Sequence, residues 1–183
     1  MAIDFKIEKS KIFDEVFIIT PSKFEDFRGD IWSIFSKKDL EHLLPSDVEF
    51  VLDKFTFSHF NVLRGIHGDH KSYKLVTCVF GEILKVIVDN RPESPTYLKW
   101  EKFILNANEP KAILIPPFFG NSQYVRSKEG ALYFYKWAFK GEYVDAQDQF
   151  TLAWNDPRLS IDWGVSDPIL SERDIKAKEF NNA

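Results

Sequence analysis

Short runs of apolar and β-branched residues, separated by turn residues, fill the chain from residue 49 to residue 139. They are EFVLDKFTFS, KLVTCVF, EILKVIVD, TYLKWEKFIL, KAILIPP, SQYVRS and ALYFYKWAF. The breaks between them hold turn formers such as Gly81, Pro92 and Gly130. Many short strands in succession predict an all-β sandwich or barrel, with the jelly roll among the candidates.

The chain before residue 49 predicts further strands and one short helix. Residues 12–20 form a β-type run that ends at Pro21, and a second apolar run follows at residues 31–35. Ser36 precedes Asp39 by the spacing of a capping box, which predicts a short helix that ends at Pro45.

The C-terminal segment predicts a second helix. Ser171 is a suitable N-cap for a helix that begins near Glu172, and we expect this helical segment to span residues 171–180. No repeat, linker or low-complexity stretch interrupts the sequence. Residues 1–183 are therefore expected to form one domain, with its core at about residues 24–165.

Composition narrows the class of protein. The chain has 183 residues, 44% of them hydrophobic, and 18 Phe residues, which suggests a core or cavity lined by rings. A net charge of −4 gives no support to binding of nucleic acid or a membrane surface. Because the chain has neither an apolar run of membrane-spanning length nor a signal-like N-terminus, a cytoplasmic location is expected. Cys78 is the single cysteine, and we expect it to be a small buried hydrophobic residue.

The segment VLRGIHGDHKSYKLV, residues 62–76, concentrates groups that can hold an anion, move a proton or bind a metal. On a regular strand Arg64 and His67 face opposite ways, because successive side chains alternate. Gly65 lies between them and is suited to a β-bulge, which would bring both side chains into one cavity. A lone histidine in a strand-rich protein is a hydrogen-bonded structural residue about as often as a functional one. Both the structural and the functional interpretation of His67 therefore stay open.

A histidine metal site and Asp174 are two further candidates that need to be weighed. His67 and His70 can begin a metal site only with His59, since no histidine follows His70 and no acidic residue has an obvious ligand spacing. Asp174 suits the first turn of a helix, but it can also bond one nitrogen of His67 and leave the other free as a base.

Two tyrosines of the last long strand are also candidates. Tyr133 and Tyr135 share one face of that strand. Their side chains either pack in an aromatic core or deliver a proton to an enolate.

In their order along the chain, these motifs resemble the nucleotide-sugar 3,5-epimerases of the cupin superfamily, typified by dTDP-4-dehydrorhamnose 3,5-epimerase. The resemblance runs from about Phe24 to Asp174. It rests on Phe24-x-Asp26-x-Arg28-Gly29, Val62-Leu-Arg-Gly-Ile-His67, Lys74-Leu-Val, Val88-Asp-x-Arg91-x-x-Ser94-Pro-Thr96, Ile115-Pro-Pro117, Tyr135-Lys136, Trp154-Asn-Asp156-Pro and Leu170-Ser-x-x-Asp174.

The resemblance implies a fold, a set of roles and a reaction. The fold is an all-β, cupin-type jelly-roll barrel with a few short peripheral helices, and the protein is a homodimer with strands exchanged between subunits. The reaction inverts C3, C5 or both in a nucleoside-diphosphate 4-keto sugar, without a metal or organic cofactor. The resemblance implies that His67 is the base and that Asp174 is its partner. It implies that Lys74 contacts the keto oxygen of the sugar and that Tyr135 is the proton donor. Arg64 and Arg28 are then expected to bind the diphosphate.

Several positions depart from the family pattern. Leu52 and Lys54 replace a Gln and an Asn, Ser33 replaces a Glu, and Asn121 replaces a His. We therefore expect a changed substrate, a GDP-linked 4-keto-6-deoxy sugar or heptose used in surface polysaccharide or capsule synthesis. Contacts to it are expected from Asn121, Ser33, Lys54 and Tyr143, and loss of the His at residue 121 can restrict inversion to C3 or to C5.

Four alternatives remain at this stage. They are dTDP-4-dehydrorhamnose 3,5-epimerase activity itself, a cupin sugar 3,4-ketoisomerase, a non-catalytic cupin that binds sugar nucleotides, and a metal-dependent cupin.

Overall fold

The computed structural model describes residues 3–177, and nearly all of its regular structure is β-sheet. The larger sheet has six antiparallel strands. In spatial order they are β1 (Phe5–Lys9), β2 (Phe17–Pro21), β10 (Ala112–Ile115), β7 (Tyr73–Phe80), β12 (Ala131–Phe139) and β5 (Glu49–Ser58). The smaller sheet has five, namely β13 (Phe150–Thr151), β6 (Leu63–Gly68), β11 (Phe119–Val125), β8 (Glu82–Asp89) and β9 (Trp100–Asn106).

The remaining elements are short. Strands β3 (Lys23–Asp26) and β4 (Gly29–Trp32) form a separate hairpin. The helices are α1 (Lys37–Leu40), a 3₁₀ turn at Glu41–Leu43, a second 3₁₀ turn at Ala146–Asp148, and α2 (Glu172–Ile175). Within residues 3–177 no helix is long and apolar enough to cross a membrane.

The main core lies between the inner faces of the two sheets. Val76 and Ile113 of the larger sheet pack there against Ile83, Ile87 and other buried residues of the smaller sheet. Because side chains alternate along a strand, Lys85 shares the inward face of β8 with Ile83 and Ile87. This placement puts a charged residue type inside the sandwich.

Both outer faces are also covered. Leu40 and Leu44 pack against Leu75 and Ala138 on the outside of the larger sheet. The chain after β13 covers the smaller sheet, where Trp163 and other apolar residues pack against its outward side chains. Coverage on both sides explains why the central strands appear in the sequence as nearly continuous apolar runs.

The predicted all-β architecture with short peripheral helices is confirmed, but several strand bounds differ from the predicted runs. The run at residues 96–105 is a strand only from Trp100, and the run at residues 122–127 belongs to the strand Phe119–Val125. Of the run at residues 31–35, only the first two residues lie in β4.

The run at residues 12–20 is a strand only from Phe17, since the Ser10 hydroxyl accepts hydrogen bonds from the amides of Ile12 and Phe13 and holds a turn. Phe13 enters the core, which therefore begins before residue 24.

Both predicted helices exist but are shorter than predicted. Ser36 makes no capping bond to the backbone, because its hydroxyl lies 2.5 Å from the Asp39 carboxylate, so the capping box is wrong. Ser171 does cap α2, whose last residue is Ile175. The predicted helical residues 178–180 lie outside the described residues.

Candidate active site

A cavity opens between the two sheets and receives side chains from both. The smaller sheet and the 3₁₀ region contribute Arg64, His67, Asn121, Ser122, Gln123 and Gln149. The larger sheet contributes Thr56, Lys74, Val76, Tyr133, Tyr135 and Trp137. The cavity thus brings together five residues predicted from the sequence, His67, Lys74, Tyr135, Arg64 and Asn121.

A bulge in β6 places Arg64 and His67 on the same side, as predicted. Asn121 of β11 lies opposite His67 and Gln123 lies opposite Arg64, so β6 has one extra residue in this interval. Gly65 has φ +114°, and a Cβ at this position would lie 2.7 Å from the carbonyl oxygen of Asn121. Glycine is therefore required at the bulge, and the bulge directs both functional side chains into the cavity.

His67 and Asp174 form a hydrogen-bonded pair, as predicted. The Nε2 atom of His67 lies 2.5 Å from Oδ1 of Asp174, which is buried. The other carboxylate oxygen accepts a hydrogen bond from the Ser171 hydroxyl at 2.9 Å. Burial opposes the charged carboxylate, but the hydrogen bond and charge of His67, with help from Ser171, lower the pKa of Asp174 below its ordinary value. An ionised carboxylate only accepts hydrogen bonds, so Nε2 of His67 carries the hydrogen and Nδ1 is left as a base.

Lys74 has a partner that the sequence did not identify. Its ammonium lies 2.8 Å from Oδ2 of Asp69 and 4.4 Å from the centroid of the Trp137 ring. Burial lowers the pKa of Lys74, and the charge of Asp69 opposes this change. Asp69 is fixed by the amides of Lys71 and Ser72, in the loop between β6 and β7. The pair thus holds a cation at the cavity wall.

Tyr133 and Tyr135 both line the cavity from β12, with ring centroids 5.3 Å apart. The Tyr135 hydroxyl lies 3.4 Å from Oγ1 of Thr56. The Tyr133 hydroxyl instead contacts Nζ of Lys85, a residue not predicted as part of the site. The only signal for Lys85 in the sequence is a lysine in the middle of an otherwise apolar strand.

The predicted substrate-binding residues occupy different places. The Arg64 guanidinium is held by the Ser58 hydroxyl, at 2.9 Å from Nε. Lys54 contacts the Tyr143 hydroxyl, and its ammonium lies 4.1 Å from the centroid of the Tyr143 ring and 5.2 Å from that of Trp137. Lys54 and Tyr143 are thus neighbours of the cavity wall at Trp137.

Arg28 and Ser33 do not line this cavity. Arg28 is exposed at the turn of the β3–β4 hairpin and pairs with Asp26, and Ser33 directly follows β4. His70 is exposed and lies outside the cavity, and His59 packs against Phe57. In the part of the chain that the structure describes, no group of three His, Cys, Asp or Glu residues is placed to hold a metal ion.

The sequence and the fold match known proteins over most of the chain. Residues 10–182 match the family model of dTDP-4-dehydrorhamnose 3,5-epimerase. The dTDP-4-dehydrorhamnose 3,5-epimerase of Shigella flexneri is 36% identical over 172 residues, which cover 92% of this chain and 93% of that protein.

Solved structures give the same result. The dTDP-6-deoxy-D-glucose-3,5-epimerase of Legionella pneumophila, in complex with dTDP-4-keto-L-rhamnose, is 34% identical, with a TM-score of 0.86 and coverage of 95% of this chain and 92% of that one. A 4-keto-6-deoxy sugar epimerase from the novobiocin gene cluster of Streptomyces spheroides is 29% identical, with a TM-score of 0.85 and coverage of 95% and 86%.

These matches confirm the cupin-type fold and the isomerase class. They do not support the expected GDP-linked heptose or a role in capsule synthesis, since the relatives named here are described by dTDP or 4-keto-6-deoxy sugars. The protein is a nucleotide-sugar 3,5-epimerase by class, and the chain belongs to the dTDP-4-dehydrorhamnose 3,5-epimerase family.

Proposed function

We propose that the protein acts on a dTDP-linked 4-keto-6-deoxy sugar and inverts C3, C5 or both, the activity of dTDP-4-dehydrorhamnose 3,5-epimerase. The identity to the Shigella flexneri enzyme and the ligand of the Legionella pneumophila structure support dTDP over GDP. The observation that carries the proposal is the arrangement of acid and base groups on two facing sheets.

Inversion requires a proton to leave one face of the sugar and another to arrive at the opposite face. His67 enters the cavity from the smaller sheet, whereas Tyr135 and Lys74 enter from the larger sheet. A sugar ring bound between the sheets therefore meets His67 on one face and Tyr135 on the other. This is the arrangement that an epimerase requires and a simple binding protein does not.

His67 acts as the base. A 4-keto group acidifies the hydrogens at C3 and C5, because the electron pair left behind is delocalised into the carbonyl as an enolate. Nδ1 of His67 takes the proton, and Asp174 holds the ring and stabilises the imidazolium that forms. Imidazole is suited to this step at neutral pH.

Lys74 and Tyr135 complete the cycle. The Lys74 ammonium stabilises the negative charge that develops on the enolate oxygen, a preorganised contribution that is typically worth about 3 kcal/mol. The Tyr135 phenol then returns a proton to carbon from the face opposite His67. Arg64 holds the diphosphate, for which a guanidinium is well suited. Each step uses only side chains of the chain itself, and the absence of a cofactor requirement stays a prediction.

The proposal is tested by incubating the protein in D₂O with dTDP- and GDP-linked 4-keto-6-deoxy sugars and measuring deuterium at C3 and C5. We expect exchange with the dTDP sugar. His67→Asn should reduce the exchange by at least about 10³-fold, as expected for loss of a general base with its positioned partner. His70→Asn is the matched control, because it removes an exposed imidazole three residues away. Exchange by His67→Asn at the wild-type rate would exclude His67 as the base.

The same assay separates the alternatives. Exchange only with the GDP sugar would restore the GDP hypothesis, and a 3-keto product would identify a ketoisomerase. Binding of the nucleotide sugar without exchange would identify a non-catalytic binding protein. Activity that is lost with a chelator and restored by a metal would identify a metal-dependent cupin.

We also propose that the protein is a homodimer. Strand β5 forms an edge of the larger sheet, and its outward residues Val51, Phe55 and Phe57 are 56%, 63% and 49% exposed. Three exposed apolar side chains on a strand at an open sheet edge favour burial against a second chain, although Asp53 lies on the same face. Arg28 supports the same proposal. It is predicted to bind the diphosphate but lies outside its own cavity, exposed on a hairpin that a partner's cavity could receive.

A further inference from the structure

Lys85 is the most unusual residue behind the cavity wall. Its side chain is 0% exposed, and it lies on the inward face of β8 between Ile83 and Ile87. Among the described residues it forms no ion pair; its Nζ bonds instead to Oδ1 of Asn121 at 2.8 Å and to the hydroxyl of Tyr133 at 3.0 Å. Asn121 and Tyr133 line the cavity, but Lys85 itself does not.

A buried lysine without a carboxylate is a poor choice for stability. Removing an amine from water is costly, and replacement of buried ionisable groups by apolar residues of similar volume is often neutral or stabilising. The neighbouring inward residues of β8, Ile83 and Ile87, are apolar and buried. Residues that reduce stability are commonly tolerated where they serve a functional site. Within residues 3–177, Lys85 forms hydrogen bonds only to two residues of the cavity wall.

The hydrogen bonds of Lys85 determine what these two residues offer to a ligand. Oδ1 of Asn121 is occupied by Lys85, and one hydrogen of Nδ2 is donated to the carbonyl oxygen of His67 at 2.9 Å. The second amide hydrogen is left for a ligand. Lys85 likewise occupies the oxygen of Tyr133, which leaves the phenolic hydrogen to be donated. Both residues therefore become hydrogen-bond donors toward the cavity.

The assignment rests on the positions of the atoms and does not require a charged lysine, because even a neutral amine has two hydrogens for the bonds to Asn121 and Tyr133. Burial, together with the charge of Lys74, holds the pKa of Lys85 well below its ordinary value. Burial, together with the neighbouring Tyr135 and Cys78, holds the pKa of Tyr133 well above its ordinary value. Tyr133 thus remains a phenol with a hydrogen to donate.

We propose that Lys85 is a positioning residue that acts through Asn121 and Tyr133, so that both donate hydrogen bonds to an oxygen of the 4-keto sugar beside His67. The inference rests on the proposed epimerase function, since the ligand is the sugar oxygen of that reaction. A carbonyl, enolate or hydroxyl oxygen fits such a wall, and a ligand group that only donates hydrogen bonds does not.

The test uses Lys85→Met, which keeps the length of the side chain and removes its hydrogen bonds. We expect kcat for deuterium exchange to fall about 10- to 100-fold, as for loss of a preorganised contact, while Tm stays equal to or above that of the wild type. The ratio of deuterium at C3 to deuterium at C5 should also change, which an unfolded fraction cannot produce. Lys85→Gln, which keeps an N–H donor, should recover part of the loss.

A second variant keeps the test decisive if Lys85→Met fails to fold. Tyr133→Phe should lower kcat about 10-fold at unchanged Tm, and when added to Lys85→Gln it should remove activity that Gln recovers through its N–H donor. Wild-type kcat and an unchanged C3:C5 ratio in Lys85→Met or Tyr133→Phe would overturn the positioning role while leaving the epimerase intact. If the wild-type protein exchanges no deuterium with any 4-keto nucleotide sugar, the proposed function fails, and this inference fails with it.

Discussion

Asp69 determines how far the pH can rise before Lys74 loses its charge. Burial lowers the pKa of Lys74, and the nearby Asp69 carboxylate raises it. The contribution of Lys74 to catalysis requires the ammonium, so activity is lost as the pH rises through the pKa of this residue. Asp69→Asn removes the charge that raises the pKa of Lys74 and should shift this loss of activity to lower pH. The measurement is kcat/KM for deuterium exchange as a function of pH.

Asp53→Asn is the control for this experiment. It removes a carboxylate from β5 of the same sheet, where Asp53 pairs with Lys136 rather than with Lys74. Its pH profile should match that of the wild type. An Asp69→Asn profile identical to the wild type on the alkaline side would show that Asp69 does not set the charge of Lys74.

At the scale of residues, the sequence was most informative where backbone geometry limits the choice of amino acid. The bulge at Gly65 was predictable, because only a break in the pleat places Arg64 and His67 on one side. Lys85 and Asp69 were not predicted. Their roles depend on contacts with Tyr133 and Lys74 across separate strands, and the spacing of residues along the chain does not specify these contacts.

At the scale of elements, the turn between β8 and β9 is organised by one carboxylate. Asp89 is buried and accepts hydrogen bonds from Arg91 at 2.8 Å and from the hydroxyls of Ser94 and Thr96 at 2.6 Å. Burial opposes the charge, but these bonds outweigh it and lower the pKa of Asp89 from 3.8 to about 2. The Asp-x-Arg-x-x-Ser-Pro-Thr motif therefore has a structural role in this turn.

Asp89→Asn should reduce the free energy of unfolding by on the order of 2 kcal/mol at pH 7, from the size of this pKa shift. The pKa is lower in the folded state, so the stabilisation is present above the unfolded pKa and is lost as the pH falls through about 2. The difference in free energy of unfolding between Asp89→Asn and the wild type, measured by urea unfolding, should therefore shrink from pH 7 to pH 4 and again to pH 2.5. Glu93→Gln, an exposed change in the same turn, should have little effect; a constant difference at all three values would contradict the assignment.

Strand boundaries were predictable where both ends carry turn residues. Strands β5, β8 and β12 begin and end where the apolar pattern predicted. The first half of the run at residues 12–20 was not predictable, because the Ser10 hydroxyl accepts hydrogen bonds from two backbone amides and holds this segment in a turn. Apolar residues such as Phe13 are buried equally well by a turn that faces the core as by a strand.

At the scale of the whole molecule, one chain does not contain every predicted substrate contact within its cavity. Arg28 is exposed on the β3–β4 hairpin, where Phe24 and Ile31 are also 46% and 54% exposed. An isologous dimer in which each hairpin reaches the partner's cavity would bury these residues and complete both sites. The sequence of one chain predicts this only through the family resemblance, since the contact is between two chains.

The proposed sharing of sites is tested by mixing two variants that are each inactive. In a dimer of His67→Asn with Arg28→Ala, the Arg28→Ala chain keeps its own His67 and receives Arg28 from its partner, whereas the other cavity lacks both. Random re-association in equal amounts should therefore restore about a quarter of the wild-type activity, because half of the dimers are mixed and each has one complete site. A mixture of His67→Asn with Asp174→Asn should restore none, since both changes lie in the cavity of the chain that bears them. Light scattering should give a mass of about twice the 21.4 kDa of one chain. Dimers that recover no activity on mixing would place Arg28 outside the partner's site. A monomeric mass would exclude the dimer itself.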